Sequence, residues 1–223
     1  NDCGLSLGQF LYHNKHKIKD DVVYNGFEIL DESDFEMFKD QYSATICDVS
    51  DIVDLVKDGK IIGIIGGGSE IGPRALGNRS IICDPSRKDM KDILNAKVKF
   101  REWFRPFAPV CRYEDKDIYF DKVYESKYMS FAPIVKEEYK SKLSSITHED
   151  GTARLQTVRK GQHELFYDIL TEMKERDLTA VILNTSFNIK GLPILTTIKD
   201  ALYVLDNTEL DYVYCKGYLF KKR

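Results

Sequence analysis

Four short stretches carry the residue types that chemistry on an anion requires. The first is Gly66-Gly67-Gly68-Ser69-Glu70-Ile71-Gly72-Pro73-Arg74-Ala75-Leu76-Gly77-Asn78-Arg79-Ser80. Its glycines let a main chain approach a ligand closely or take positive φ, and its two arginines are planar, permanently charged forks suited to phosphate or carboxylate. The second, Lys97 to Pro109, sets Lys97, Lys99, Arg101 and Arg105 among aromatic residues and prolines. On composition alone such a run reads as a solvated basic face of a loop. The third, His148 to Val158, turns at Asp150-Gly151 into a strand with Arg154 and Gln156 on one face. The fourth, Leu183 to Pro193, places Asn184, Thr185, Ser186 and Asn188 directly after a buried strand. Each alone reads as a turn. Together they suit a crevice beyond the carboxyl ends of strands, where open α/β sheets gather ligands.

The elements that must position these stretches alternate between helix and strand. Residues 4–13 space Leu5, Leu7, Phe10 and Leu11 as a short helix, and a polar linker follows. Beyond a loop containing Tyr24 to Leu30, Ser50 caps a helix bearing Ile52, Val53, Leu55 and Val56, stopped by Gly59. The strand Lys60–Ile65 feeds the glycine stretch. Asp84-Pro85 is a cap and first-turn proline for a helix through Met90, Ile93 and Leu94 towards Lys97. Strands are expected at Ala108–Tyr113, Ser130–Val135, Ala153–Val158 and Ala180–Asn184. An amphipathic helix over His163–Arg176 carries a core stripe of Leu165, Phe166, Ile169, Leu170 and Met173. Thr197 begins a helix through Leu205, and Asp211–Phe220 alternates like a last strand. The fold class is therefore α/β.

Global properties narrow the function. With 223 residues, 43% of them hydrophobic, the chain can bury a substantial core. Its net charge of −3 provides no overall basic field for nucleic acid, so an anion site must be a local concentration of cations and its partner a small molecule. Cys3, Cys47, Cys83, Cys111 and Cys215 are odd in number and scattered, against both a disulfide framework and a thiolate zinc site, and a reducing cytoplasm is the expected location. No apolar run is long enough to span a membrane. The glycine stretch has Ile71 where a dinucleotide fingerprint needs glycine, and it lacks the Gly-Lys-Ser/Thr of a P-loop. His13 and His16 read as a solvated helix end rather than a metal site.

Gly-Gly-Gly-Ser-Glu-Ile-Gly-Pro-Arg-Ala-Leu-Gly-Asn-Arg-Ser, Lys-Phe-Arg-Glu-Trp-Phe-Arg-Pro-Phe-Ala-Pro, Asp-Gly-Thr-Ala-Arg-Leu-Gln-Thr-Val and Leu-Asn-Thr-Ser-Phe-Asn, in that order, closely resemble the C-terminal part of the O-carbamoyltransferases of the NodU, CmcH and TobZ type. The resemblance covers about residues 45–220. It implies a YrdC-like twisted mixed sheet flanked by helices over residues 23–223. Residues 1–22 would be the tail of a preceding ASKHA-type metal-binding domain plus a linker, so the chain is expected to be a fragment, incomplete for the final transfer. The implied activity is formation of carbamoyl adenylate from ATP, with Mg²⁺, and carbamoyl phosphate. The preceding domain, holding iron, would pass the carbamoyl group to a hydroxyl-bearing small-molecule acceptor. The resemblance assigns catalytic roles to Lys99, Arg105 and Arg154, and substrate binding to Ser186 and Arg74. Asn184, Asn188 and the backbone amides of Gly67 and Gly68 suit the same ligand as neutral donors. Asp2 matches a carboxylate that helps hold the metal. The alternative is a non-catalytic YrdC-like module that binds nucleotide or RNA.

Overall fold

The computed structural model describes residues 5–14 and 22–222; Asp2 and His16 lie outside them. The first helix, α1 (Leu5–Asn14), matches the expected segment within a residue and closes with Asn14 donating to the Phe10 carbonyl at 2.8 Å.

Later helices form where an apolar stripe coincides with a cap. Residues 35–41, where the sequence raises no expectation of an element, form α2 (Phe35–Gln41), which buries Phe35 and Phe38. α3 (Val49–Lys57) is capped by Asp48, two residues before the expected Ser50 cap. Asp48 and Asp51 exchange side-chain and backbone hydrogen bonds at 3.0 Å, and only Asp48 has a carboxylate three positions on to close that box. α6 (Glu164–Glu175) is capped by the His163 ring and α7 (Ile198–Asn207) by Thr197. The helix expected from Asp84-Pro85 forms later. Asp84 instead accepts from the Ser86 amide and hydroxyl, and a four-residue α4 (Met90–Ile93) runs into a π turn, Leu94–Val98. A further short helix, α5 (Lys116–Tyr119), follows the first long central strands.

The strands are β1 (Thr45–Ile46), β2 (Ile62–Ile65), β3 (Arg79–Cys83), β4 (Ala108–Arg112), β5 (Phe120–Asp121), β6 (Ile134–Val135), β7 (Gln156–Val158), β8 (Ile182–Ser186), β9 (Tyr212–Cys215) and β10 (Tyr218–Lys221). Eight of them build one mixed sheet in the order β1-β10-β9-β2-β3-β8-β4-β7, and β5 pairs with β6. β2 runs parallel to β9 and β4 to β7, and the other pairs are antiparallel. Ile62, Ile64, Ile82, Val110 and Ile182 pack with α3 and α6, whereas Ile65, Ile81, Cys83, Leu183 and Val213 pack with the opposite layer, which includes α2, α7 and the π turn. Both faces are covered, so the central strands read as continuous apolar runs rather than as alternation.

Two strand expectations need correction. Asp211–Phe220 is a hairpin of β9 and β10, because Lys216 and Gly217 both take positive φ and reverse the chain in two residues. The segments around Ser130–Val135 and Ala153–Val158 are strands only at β6 and β7; elsewhere they meet through the single bridges Phe131 to Leu155 and Ile134 to Thr152. Cys47, Cys83, Cys111 and Cys215 are free and buried, and no helix among the described residues is long and apolar enough to cross a membrane.

Candidate functional site

The carboxyl ends of β2 and β8 lie beside the amino ends of their antiparallel neighbours β3 and β4. Four loops therefore meet at one edge of the sheet, around an open cleft. The glycine stretch contributes Pro73, Arg74 and Ala75; the basic stretch contributes Arg101, Pro106 and Phe107; the segment before β7 contributes Arg154; and β8 contributes Asn184, Thr185 and Ser186. No Asp or Glu lines it.

The guanidinium groups are held rather than solvated. Arg101 donates through Nε to the Asn95 Oδ1 at 2.7 Å and stacks over the Phe107 ring, its guanidinium carbon 4.7 Å from the centroid. Burial first, then Arg105 and Arg154, push its pKa down to about 10. Burial and Arg74 lower Arg154 in the same sense. Like charges are thus gathered at a wall that no carboxylate lines, with Glu102 alone acting against the lowering at Arg101. One Nη of Arg101 and the Nε of Arg154 are buried with no hydrogen-bond partner. A buried donor left unmade costs about 1–3 kcal/mol. A phosphate or carboxylate entering the cleft supplies the missing acceptors.

Asn95 is the hub that sequence reasoning missed. It sits in the π turn, 1% exposed, and donates to the carbonyls of Trp103 and Arg105, each at 3.1 Å, while its Oδ1 aims Arg101. A π bulge is a recurrent device at functional sites, but nothing in the spacing of Leu94 to Val98 announces one. Arg101 was visible only as one cation of a basic run.

Lys99 stands one layer behind the cleft. The residue is 3% exposed, and its Nζ donates to the carbonyls of Ser186 (2.5 Å) and Asn188 (2.6 Å), to Asn188 Oδ1 (2.5 Å) and to Ser186 Oγ (3.2 Å). Burial pushes it down to about 7, with Arg101 adding to the effect, while the ring of oxygens favours the ammonium. Lys99 thus shapes the Ser186–Asn188 loop from beneath. Asn188 belongs to the same brace: its Oδ1 also accepts from Ser186 Oγ, at 2.7 Å. Arg105 lies at the rim, more than half exposed and paired with Glu102 at 2.8 Å.

The glycines serve packing more than the cleft. A Cβ on Gly68 would stand 2.2 Å from the Tyr24 carbonyl, and Gly67 faces Glu28. The loop they open is tied from within. Glu70 Oε1 accepts from the amides of Leu76 (2.6 Å) and Asn78 (2.9 Å), and Arg79 donates to the carbonyls of Gly66, Gly67, Asn78 and Phe27. The structure brings Arg74, Arg154, Asn184 and Ser186 to the cleft wall, and sets Gly67, Gly68, Lys99, Asn188 and Arg105 outside it. Among the described residues no group of three His, Cys, Asp or Glu could hold a metal ion.

A family model of the carbamoyltransferase C-terminus matches residues 53–222. Nodulation protein NolNO of Sinorhizobium fredii is 42% identical over 171 residues, covering 75% of this chain and 25% of its own. Nodulation protein NolO of Bradyrhizobium diazoefficiens is 41% identical over 177 residues, covering 78% of this chain and 32% of its own. An uncharacterized protein of Methanocaldococcus jannaschii is 34% identical over 99% of this chain and 45% of its own. The chain thus spans less than half the length of these relatives. A crystal structure of full-length HypF in the phosphate- and nucleotide-bound form shares the fold with a TM-score of 0.50 at 19% identity, over 72% of this chain and 20% of that one.

Proposed function

The chain belongs to the carbamoyltransferase C-terminus family, and from that premise we propose that its cleft binds ATP and carbamoyl phosphate and forms carbamoyl adenylate for O-carbamoylation. The observation that carries this reading is the set Arg74, Arg101 and Arg154, gathered without a carboxylate and with two guanidinium nitrogens lacking acceptors. Adenylation crowds anionic oxygens at one place, and catalysis is then mostly positioning and charge neutralisation. The balance is simple. Carbamoyl phosphate loses phosphate to water, giving carbamate; a carbamate oxygen then attacks the α-phosphorus of ATP, and the bond to the β-phosphate oxygen breaks with release of pyrophosphate.

No protein nucleophile is required. Since no carboxylate lines the cleft, the chain itself does not fit a Mg²⁺ ion there, and such an ion would be held by the nucleotide's own phosphates. The residues described here do not fit iron. Transfer to the hydroxyl acceptor is assigned to the part of the longer relatives that this chain does not match. A net charge of −3 provides no overall basic field for an RNA strand and favours the small-molecule reading.

The test is carbamoyl-phosphate-dependent pyrophosphate release from ATP by the 223-residue chain. Arg154→Ala is expected to cost roughly a hundredfold or more, as loss of a positioned charge stabiliser does. Unchanged release in Arg154→Ala sinks the reading.

A further inference from the structure

The side chain of Asn184 combines near-complete burial, a place on the cleft wall and an uncommitted acceptor. It is 1% exposed. Its Nδ2 donates to the Ala75 carbonyl at 3.0 Å and to Gln156 Oε1 at 2.9 Å, which uses both amide protons. Its Oδ1 has no hydrogen-bond partner. The orientation is fixed by chemistry rather than by choice. Gln156 must present its Nε2 to the Leu76 carbonyl, 2.8 Å away, so its Oε1 is left facing Asn184 and only an N–H can meet it. Flipping Asn184 would set its oxygen against two acceptors. The amide ladder therefore holds an uncommitted amide acceptor at a wall that also carries the arginine donors and the hydroxyls of Thr185 and Ser186.

We infer that Asn184 Oδ1 accepts an N–H from the carbamoyl NH₂, and so selects carbamoyl over acyl phosphates, an inference that rests on the adenylation reading above. The arginines recognise only the anion, which carbamoyl phosphate, acetyl phosphate and inorganic phosphate share. What separates carbamoyl from acetyl phosphate is NH₂ in place of CH₃, and only an acceptor beside the phosphate site can sense it. A buried acceptor facing a methyl group is left unmade, which is how sites reject an analogue lacking a hydrogen bond. Gln156 acts as a positioning residue, since it dictates which atom of the Asn184 amide is left uncommitted.

The test uses the full 223-residue chain and compares carbamoyl phosphate, acetyl phosphate and inorganic phosphate by calorimetric titration. The wild-type chain is expected to bind carbamoyl phosphate at least roughly tenfold tighter than acetyl phosphate, and to shift the Asn184 side-chain amide resonances with the first ligand only. In Asn184→Leu and Gln156→Leu the preference is expected to collapse towards unity. Equal wild-type affinity for carbamoyl and acetyl phosphate, or a preference that survives Asn184→Leu, overturns the inference while leaving adenylation intact. If none of the three ligands nor ATP binds, the adenylation reading falls and this inference with it.

Discussion

Two buried sets of arginine in this chain are treated in opposite ways. Arg79, fully buried at the start of β3, donates to four main-chain carbonyls of the glycine stretch and the residues that pack on it, and only its Nε lacks a partner. Its nearest opposing charge is Glu70, which acts against the lowering caused by burial. Arg101 and Arg154 are less buried and line one cleft, each with an unpartnered nitrogen and no carboxylate on the wall. Arg79 resembles a structural bolt, whereas the cleft arginines keep an unfavourable arrangement that an anion relieves. Residue type and depth of burial alone do not separate the roles. The count of satisfied donors does.

The largest test of this contrast is Arg79→Met. It leaves four carbonyls without their donor and removes the cation that faces the charge of Glu70, and is expected to lower unfolding free energy by about 3–5 kcal/mol, as breaking buried charged networks does. Urea unfolding checks it, and a loss below about 1 kcal/mol would place Arg79 among the dispensable cations. Next comes Arg101→Ala. It is expected to reduce carbamoyl-phosphate-dependent pyrophosphate release roughly a hundredfold while lowering the urea midpoint far less than Arg79→Met, because the like charge it removes offsets the bond lost at Asn95 Oδ1. A marked fall in the midpoint would show that Arg101 is a second bolt.

The smallest test concerns acid. His163 accepts at Nδ1 from the Phe166 amide and meets Asn78 Oδ1 through Nε2 at 3.1 Å, which bolts the glycine stretch to α6. Burial pushes this imidazole from its ordinary 6.5 down to about 4. The folded state therefore stays neutral where the unfolded chain already binds a proton. His163's contribution is complete above pH 6.5 and is lost as pH falls through the window to about 4. About 2 kcal/mol should be gone at pH 5. Urea unfolding at pH 7 and pH 5 should show this in the wild-type chain and much less in His163→Gln; parallel losses in the two chains would assign the acid sensitivity elsewhere.

Much of the frame was legible in the chain. The apolar run Ile61 to Ile65 and the stripe from Leu165 to Met173 are buried as their periodicity requires, because a strand covered on both faces and a helix packed on one side leave different signatures. Arg74, Arg154, Asn184 and Ser186 were singled out, and they do meet at one cleft. The hairpin of β9 and β10 was missed because Gly217 interrupts an otherwise alternating pattern by one residue. Arg101 and Asn95 were missed for a different reason. Their importance lies in what faces them, and the partners come from Phe107 and from the carbonyls of Trp103 and Arg105, brought back by a π turn.

The sequence by itself determined the α/β class, the family and the inventory of cations, amides and hydroxyls, since periodicity and ordered motifs are properties of the linear chain. Tertiary structure alone decided the roles. It set Lys99 against the Ser186–Asn188 loop as a brace, closed most of the glycine stretch upon itself through Arg79 and Glu70, and left Asn184 with an acceptor rather than a donor to offer. The physical reason is that a polar group's function depends on which of its hydrogen bonds remain unmade after folding, and that is a property of its neighbours in space.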